Sequence, residues 1–465
     1  MILFSIILFI YFLFLGYILK NIYIGNLNYL IYYLLLFLPF YTFFQLISLK
    51  LTGHVFSVHI IKYSKDFVIF SSLCVYILGY KNEWIKFSFK FSFLDKLIIL
   101  FTLITLIFTV IPIGQADFIS RILYSKNIFI ISIVYFFGRL SIVSSEQWKF
   151  VKIILIFLVV FGFSVSGIEY FSNHHLHSIL NYSEYLINIY DRMPVGNFGL
   201  SWTFERNPFQ GRFAAFFSDP LEFSASLILF LSFFLFELYQ SKLKSHKFIN
   251  ILFLVMIFCS FLFAYSRASI VSAFFILIVS LILIKKYNLL YRVFFFFIII
   301  SLLVFFNASN DFIYFLEDTL SFRELSSLGH LFEWIEGVLT IVENPFGIGL
   351  AMSGNASSVD QSIKIGGENQ FLIYGIQMGI ISLIIYLLMI SISIYHSFKV
   401  FLLSKTNHVK SIAFVSGLTK LGLLIPLFTA NAELYLFVSL FSWFLVGVTE
   451  TNFLKSSQSI DNGFM

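Results

Sequence analysis

A single histidine stands among carboxylates in the longest polar stretch of an otherwise apolar chain. The stretch runs from Asn307 to Glu368, and His330 is its only histidine. Glu333 follows His330 by about one helical turn, and Glu368 stands where the next apolar run begins. A histidine near carboxylates acts as a general base, or binds phosphate when it is charged. These residue types therefore indicate acid–base or anion-binding chemistry, although a lone histidine with one satisfied hydrogen bond would be an ordinary helix residue.

Two arginines beside other apolar runs are candidates for binding an anion. Arg212 is flanked by phenylalanines, which suggests a segment that dips toward a membrane. Such an arginine either reaches phosphate headgroups or holds an anion at a site, and the sequence leaves both open. Arg267 stands in the turn of FAYSRASI (263–270), where two apolar runs meet almost without a loop. A helical hairpin requires no cation there, so we favour a functional role for Arg267 over simple snorkelling.

Other polar features have simpler interpretations. The HHLH motif at 174–177 could bind zinc, but no fourth ligand has recognisable spacing, so we interpret it as polar loop. Lys420 interrupts an apolar run and is either a functional intramembrane lysine or a sign that the run is wrongly bounded. Glu169 and Glu433 stand at the ends of apolar runs, where we expect the membrane interface to solvate them.

The elements that position these residues are membrane helices. The chain has 465 residues, of which 59% are hydrophobic and 12% charged, whereas a soluble domain is about 25% charged. We attribute most of the net charge of +6 to the cytoplasmic connections, where basic residues orient the spans, and it does not indicate a nucleic-acid partner. Cys74 and Cys259 lie within apolar runs, which excludes a disulfide framework and a cysteine-based metal site. The first apolar run has no basic segment before it, so we expect a retained helix.

The pattern predicts an all-α polytopic membrane protein of about 12–13 spans in a single membrane domain, residues 1–465. Two large loops, 171–221 and 307–368, are predicted on the external side, because short basic connections between the other spans belong in the cytoplasm. The predicted spans lie near 2–19, 29–49, 67–80, 97–113, 128–143, 151–170, 222–240, 248–264, 268–284, 293–306, 369–396, 411–428 and 431–449.

Local signals predict how the two loops meet the spans. In the first loop, Asp219, Pro220 and Glu222 have the order of a capping box that starts the next helix. In the second loop, residues 326–350 have the apolar spacing of an amphipathic helix. Pro345 ends that helix, and the two glycines that follow allow a tight turn. The second loop also holds nine of the 24 acidic residues: Asp311, Glu317, Asp318, Glu324, Glu333, Glu336, Glu343, Asp360 and Glu368.

Four pieces in this order resemble a known family. They are R-x3–4-F-x-x-P (Arg212 to Pro220), the S-R turn at Arg267, H-x6-G-x7-P-x-G-x-G (His330 to Gly349), and ENQFL-x5-MGIISL (Glu368 to Leu383). This arrangement resembles the bacterial O-antigen polymerase and O-antigen ligase superfamily. The motifs that carry the resemblance lie within roughly residues 205–385.

The resemblance implies a glycosyltransferase C-like fold in the plasma membrane, with the active site on the external, periplasmic side. It implies transfer of glycans from undecaprenyl diphosphate to a glycan acceptor, with no metal and no other cofactor. Arg212 and Arg267 would grip the diphosphate, and His330 would deprotonate the acceptor hydroxyl, oriented by Glu333 or Glu368. A chain-length regulator and a flippase are the implied protein partners.

Polymerase, ligase and transporter remain distinct hypotheses. A polymerase joins lipid-linked repeat units. We favour it because the polymerases are the more divergent branch of the superfamily, and the motifs in this chain match only loosely. A ligase would transfer the chain to lipid A–core. A lipid-linked oligosaccharide transporter would place polar groups near the bilayer midplane, whereas only Lys420 is deep. A purely structural scaffold would leave Arg267 unexplained.

Overall fold

The structure of the protein is a computed structural model that describes residues 2–24, 26, 28–79, 90–207, 210–295, 299, 325–354, 365 and 367–461. Several features of the sequence therefore lie outside the described residues. They include most of the predicted span at 293–306 and five of the nine acidic residues of the second loop: Asp311, Glu317, Asp318, Glu324 and Asp360.

Helices make up nearly all of the described chain. We number them α1 (Ile2–Tyr23), α2 (Tyr29–Leu36), α3 (Tyr41–Thr52), α4 (Val55–Gly79), α5 (Phe93–Val110), α6 (Phe118–Leu140), α7 (Ser145–Ser172), α8 (Leu176–Ile179), α9 (Tyr182–Tyr190), α10 (Pro220–Gln240), α11 (Lys244–Ala264), α12 (Arg267–Leu283), α13 (Leu325–Glu343), α14 (Gln370–Met378), α15 (Ile380–Leu403), α16 (Asn407–Thr429) and α17 (Leu436–Asp461). Two short antiparallel strands, β1 (Glu205–Asn207) and β2 (Gln210–Gly211), form one hairpin.

The predicted fold class is confirmed: the protein is an all-α polytopic membrane protein. Within the described ranges, nine helices are long and apolar enough to cross a membrane, or ten if the bent pair α2–α3 is one span. The predicted span at 268–284 corresponds to the shorter apolar helix α12. The predicted span at 67–80 is the end of the longer helix α4, whose first half carries charged residues.

Two of the predicted continuous spans are broken helices. The run at 29–49 consists of α2 and α3, which meet at a bend of 64°. The run at 369–396 is interrupted at Gly379, which has a φ of +84° and separates α14 from α15. A Cβ at Gly379 would lie 2.5 Å from the carbonyl oxygen of Pro345, so the break lets the turn after α13 pack directly on the helix backbone.

The last helix, α17, packs closely along α6. A Cβ at Gly138 would lie 2.1 Å from the carbonyl oxygen of Phe444, and one at Gly447 would lie 2.1 Å from that of Tyr135. Small residues at such contacts let membrane helices approach each other closely. Beside this contact, Arg139 donates two hydrogen bonds of 2.9 Å to the two carboxylate oxygens of Asp95, which is fully buried.

The first long loop has an aromatic core, contrary to the prediction of a polar loop around HHLH. His175 and His177 are both buried. The ring of His175 stacks on Phe213 with centroids 4.8 Å apart, and that of His177 lies 4.8 Å from Phe204. Burial lowers the pKa of His175 to about 4 and that of His177 to about 3, so both are neutral packing residues at ordinary pH.

Glu169 and Glu433 are buried, and the prediction that the membrane interface solvates them is wrong. Glu169 accepts hydrogen bonds from the backbone N–H groups of Leu176 (2.8 Å) and Ala215 (2.9 Å). It thereby ties both ends of the first long loop to the end of α7. Glu433 accepts from the hydroxyl group of Tyr386 at 2.6 Å inside the bundle. Sequence position alone could not reveal these partners, because they come from distant segments.

Lys420 lies inside α16 and is buried, so its apolar run was correctly bounded. Its Nζ atom lies 3.7 Å from the centre of the Trp443 ring. A cation over an indole face is a favourable packing arrangement in a desolvated interior. The structure therefore gives Lys420 a packing role within the helix bundle.

Candidate functional site

The five residues selected from the sequence line one cavity of about 640 Å³. They come from four separate segments. Arg212 follows strand β2, Arg267 is the first residue of α12, His330 and Glu333 lie on α13, and Glu368 precedes α14. The cavity opens where several helices begin or end, which is where membrane proteins place polar groups at least cost.

His330 faces both candidate carboxylates. Its Nδ1 atom lies 3.9 Å from Glu333 Oε2 and 3.9 Å from Glu368 Oε2. The side chains are partly exposed, at 28% for His330, 38% for Glu333 and 39% for Glu368. Glu333 raises the pKa of His330; burial opposes this effect, Glu368 adds to it, and Arg267 opposes it. Burial raises the pKa of Glu368, while His330 and Arg212 lower it.

Helix α13 is held against α14 by close contacts that position His330. A Cβ at Gly337 would lie 3.2 Å from the side chain of Leu372 on α14. A Cβ at Gly367 would lie 2.4 Å from the carboxylate of Glu333, so a side chain at this position would force that carboxylate to move. Asn369 caps α14 by accepting from the N–H groups of Phe371 and Leu372 at 3.0 and 3.2 Å. Glu368 therefore stands just outside a fixed helix start.

The predicted turn after α13 is present and explains its glycines. Gly347 and Gly349 have φ values of +88° and +109°. A Cβ at Gly347 would lie 2.5 Å from the carbonyl oxygen of Gln377, and one at Gly349 would lie 2.1 Å from that of Ile113. Both positions therefore require glycine, for the backbone conformation and for the close approach.

Arg212 is placed by the hairpin and by the buried phenylalanines after it. Its backbone N–H donates to the carbonyl oxygen of Phe204 at 2.7 Å. Phe213, Phe216 and Phe217 are buried, which fixes the segment between the hairpin and α10. The guanidinium of Arg212 opposes the effect of burial on the pKa of Asp219, which is raised overall because burial is the larger cause.

The predicted capping box at α10 is half formed. Asp219 caps the helix by accepting from the N–H of Glu222 at 2.7 Å, and Pro220 occupies the first turn. The carboxylate of Glu222 is used elsewhere. It accepts from the hydroxyl of Ser218 and from the N–H of Phe437, at the start of α17. Glu222 therefore links the start of α10 to the start of α17.

Arg267 stands at the start of α12, where the turn is made by Tyr265 with a φ of +47°. The hydroxyl of Ser266 donates to that of Ser269 at 3.3 Å. The first N–H groups of a helix carry partial positive charge. Arg267 and this helix start therefore both contribute positive charge to the wall of the cavity.

The lining also includes aromatic and acidic residues that were not selected from the sequence, namely Trp202, Glu205, Trp334 and Tyr435. Trp334 lies within the predicted amphipathic helix at 326–350, where it counted only as one of the apolar positions. Its ring stacks beside His330 with centroids 6.4 Å apart. Trp202 and Glu205 could have been noticed as an aromatic and an acidic residue shortly before Arg212 in the same loop. Tyr435 carries no comparable signal, because it lies inside the predicted span at 431–449.

The basic connections lie at the end of the bundle away from the cavity. Helices α10 and α12 begin at the cavity and α16 ends there. Each has 17 to 23 residues, so its other end is about 25–35 Å away. That distant end carries Lys242, Lys244, Lys247, Lys285, Lys286, Lys405 and Lys410.

In the described ranges, no group of three or more histidine, cysteine, aspartate or glutamate side chains could hold a metal ion. The carboxylates of Glu333 and Glu368 both face the imidazole of His330. The arrangement can bind an anionic group through two guanidinium groups and a helix start, while a histidine accepts or donates a proton beside it.

These features define an all-helical, polytopic membrane protein with a polar cavity at one end of its bundle. Residues 252–387 match the model of a family described as O-antigen ligase. The match includes Arg267, His330, Glu333 and Glu368, while Arg212 precedes it. It confirms the resemblance to the O-antigen polymerase and ligase superfamily and supports a function of that type. No curated protein matches the chain.

Proposed function

We propose that the protein is a membrane glycosyltransferase that joins undecaprenyl-diphosphate-linked oligosaccharide repeat units, as an O-antigen polymerase does. The observation that carries this proposal is the single cavity shared by Arg212, Arg267 and His330. Two cations and a proton acceptor are the groups that glycan transfer from a diphosphate requires. The family match supports the broader reaction type.

In the proposed reaction, a hydroxyl oxygen of the acceptor glycan attacks the anomeric carbon of the donor. The bond between that carbon and the phosphate oxygen breaks, and undecaprenyl diphosphate leaves with the electron pair. The hydroxyl proton passes to the neutral imidazole of His330. Negative charge develops on the departing diphosphate, where Arg212 and Arg267 stabilise it through paired N–H donors.

Glu333 and Glu368 serve in this proposal as positioning residues. Both carboxylates lie 3.9 Å from His330 Nδ1, so they stabilise the imidazolium that forms when His330 takes the proton. The Nε2 atom is then the one that we expect to face the acceptor. This arrangement accounts for a histidine between two carboxylates at a cavity that must also attract a diphosphate.

We propose that the cavity faces the outside of the plasma membrane. The support is the position of seven lysines at the opposite end of the bundle, because basic connections stay in the cytoplasm. The donor lipid would then be presented from the outer leaflet. A flippase that delivers it and a regulator of chain length are the partners that this function would need.

A ligase is the second candidate, because the matching family is described as O-antigen ligase. A complementation experiment separates the two candidates. The host lacks its own polymerase and makes the matching repeat unit, and its glycans are separated on a gel. A polymerase restores a ladder of chain lengths, whereas a ligase produces no ladder in this host and moves only single repeat units onto lipid A–core. If repeat units accumulate in the cytoplasmic leaflet without the protein, the glycosyltransferase proposal fails.

A further inference from the structure

The hairpin that carries Arg212 also carries two cavity residues that the proposed reaction does not use. Trp202 and Glu205 lie in the turn and strand before β2, and both line the same cavity. Strand pairing places Glu205 opposite Gly211, the residue before Arg212. A ligand group that contacts Trp202 and Glu205 would therefore lie next to the ligand group that contacts Arg212.

Trp202 presents its indole to the cavity instead of to the protein core. It is 65% exposed, although Phe204 in the same three-residue helical turn is fully buried. Phe204 packs on Tyr182 at 5.4 Å between ring centroids, which anchors the turn. In the part of the chain that the structure describes, no aromatic ring packs against Trp202. An exposed tryptophan on a rigid turn beside a polar cavity is a surface for a ligand with an apolar face.

Glu205 has one carboxylate oxygen occupied and the other unused. Oε2 accepts hydrogen bonds from the backbone N–H of Asn197 at 3.0 Å and from its side-chain amide at 3.2 Å. Oε1 is buried and has no hydrogen-bond partner among the described residues. The side chain is 5% exposed. A buried carboxylate oxygen without a donor is costly, so we expect the donor to come from an occupant of the cavity.

We propose that Trp202 and Glu205 form a subsite for the sugar attached to the diphosphate of the donor. The C–H face of a pyranose ring would stack on the indole, and a ring hydroxyl would donate to Glu205 Oε1. The subsite suits an uncharged sugar, because a sugar carboxylate would lie against the carboxylate of Glu205. This inference rests on the proposed function and specifies which part of the substrate lies beside Arg212.

The test measures binding of two lipids to the purified full-length protein in detergent. One is the undecaprenyl-diphosphate-linked repeat unit extracted from the complementation host. The other is undecaprenyl diphosphate without sugar. The variants are Trp202→Ala, Trp202→Phe and Glu205→Gln. In Glu205→Gln, the amide oxygen retains the bond to Asn197, while the position of the unpartnered Oε1 changes from an acceptor to a donor. Phe171→Ala and Glu184→Gln are matched controls at exposed positions beside or within the same loop.

We expect Trp202→Ala to raise the Kd of the glycan-linked lipid about tenfold, equivalent to roughly 1.4 kcal/mol. Trp202→Phe should recover part of that affinity, and Glu205→Gln should weaken binding severalfold. Affinity for the sugar-free lipid should not change in any of these variants. The controls should match the wild type for both lipids.

The subsite is overturned if the wild type binds both lipids equally, or if the variants bind the glycan-linked lipid as the wild type does. It is also overturned if Trp202→Ala weakens the sugar-free lipid to the same extent, because the contact would then be with the carrier. Failure of the proposed function gives a different result: the wild type would bind neither lipid.

Discussion

The Nδ1 atom of His330 lies 3.9 Å from Oε2 of Glu368, although a long stretch of chain separates the two residues. Two local features bring them together. Helix α13 packs along α14 through Gly337, and Asn369 fixes the start of α14 immediately after Glu368. The contact therefore depends on the backbone of both helices and not on flexible side chains alone.

Neutralising Glu333 should shift the pH dependence of glycan transfer. Glu333 raises the pKa of His330, so Glu333→Gln should lower that pKa. If neutral His330 accepts the proton, the acidic limb of the rate profile then moves to lower pH, because the imidazole stays unprotonated over a wider range. The measurement is the initial rate of transfer against pH. Glu336→Gln is the control, since Glu336 is exposed on the same helix.

A movement of the alkaline limb instead would contradict the role of His330 as a base. It would mean that the charged imidazole is the active form, as expected for a phosphate-binding histidine. Unchanged pH profiles in Glu333→Gln and Glu368→Gln would show that neither carboxylate influences proton transfer by His330.

Replacing either cavity arginine should slow transfer strongly. Loss of one donor to a developing negative charge costs about 100- to 1,000-fold in kcat, so we expect that range for Arg212→Ala and Arg267→Ala. Lysine should restore only part of the rate, because it keeps the charge but not the paired donors. Steady-state rates with extracted lipid-linked repeat units give the comparison. Arg192→Ala, at an exposed position in the first long loop, is the control.

An equal loss in Arg192→Ala would indicate a general charge effect. If Arg212→Lys and Arg267→Lys both retained the wild-type rate, paired hydrogen bonding to the diphosphate would be excluded.

Substitution of Gly349 should destabilise the protein. Its φ of +109° and the 2.1 Å approach of a Cβ to the carbonyl oxygen of Ile113 both oppose a side chain. We expect Gly349→Ala to lose at least about 1–3 kcal/mol from backbone strain alone. The measurement is the Tm in detergent. Gly16→Ala, on α1 with no atom within 4 Å of the new Cβ, should leave the Tm unchanged or slightly higher. Equal Tm values for both variants would contradict this account of the turn.

Breaking the buried ion pair between Arg139 and Asp95 should also destabilise the fold. Arg139→Met would leave the carboxylate of Asp95 buried without its guanidinium partner, at a cost of about 3–5 kcal/mol. The double variant Asp95→Asn/Arg139→Met should recover part of the loss, because no buried charge remains. Tm values in detergent provide the test, with Lys405→Met as an exposed control. A double variant less stable than Arg139→Met would contradict the charge argument.

The sequence predicted the candidate site better than it predicted the course of the helices. Arg212, Arg267 and Glu368 could be found because each is a charged residue beside an apolar run. His330 could be found because it is the one histidine of the longest polar stretch. The break at Gly379 could not be found in this way. An apolar run looks the same whether its helix is continuous or interrupted by a packed turn.

Burial of polar residues was the other feature that the sequence could not reveal. Glu169 and Glu433 stand at positions where a membrane interface would solvate them, yet both are buried and accept hydrogen bonds from other segments. The face that a membrane helix turns toward protein or lipid is not evident when both faces are apolar. Trp202 and Glu205 were missed for a different reason, because their proposed role depends on the hairpin that places them beside Arg212.

The most direct test of the account is transfer by the purified protein in proteoliposomes. The substrate is the extracted undecaprenyl-diphosphate-linked repeat unit, and the products are longer lipid-linked glycans and free undecaprenyl diphosphate. We predict that the wild type releases one undecaprenyl diphosphate for each repeat unit that it adds, and that His330→Ala reduces the formation of both products by at least about 100-fold. Arg212→Ala and Arg267→Ala should also be impaired, and Arg192→Ala should not. A His330→Ala variant as active as the wild type would contradict the central claim that this cavity performs the reaction.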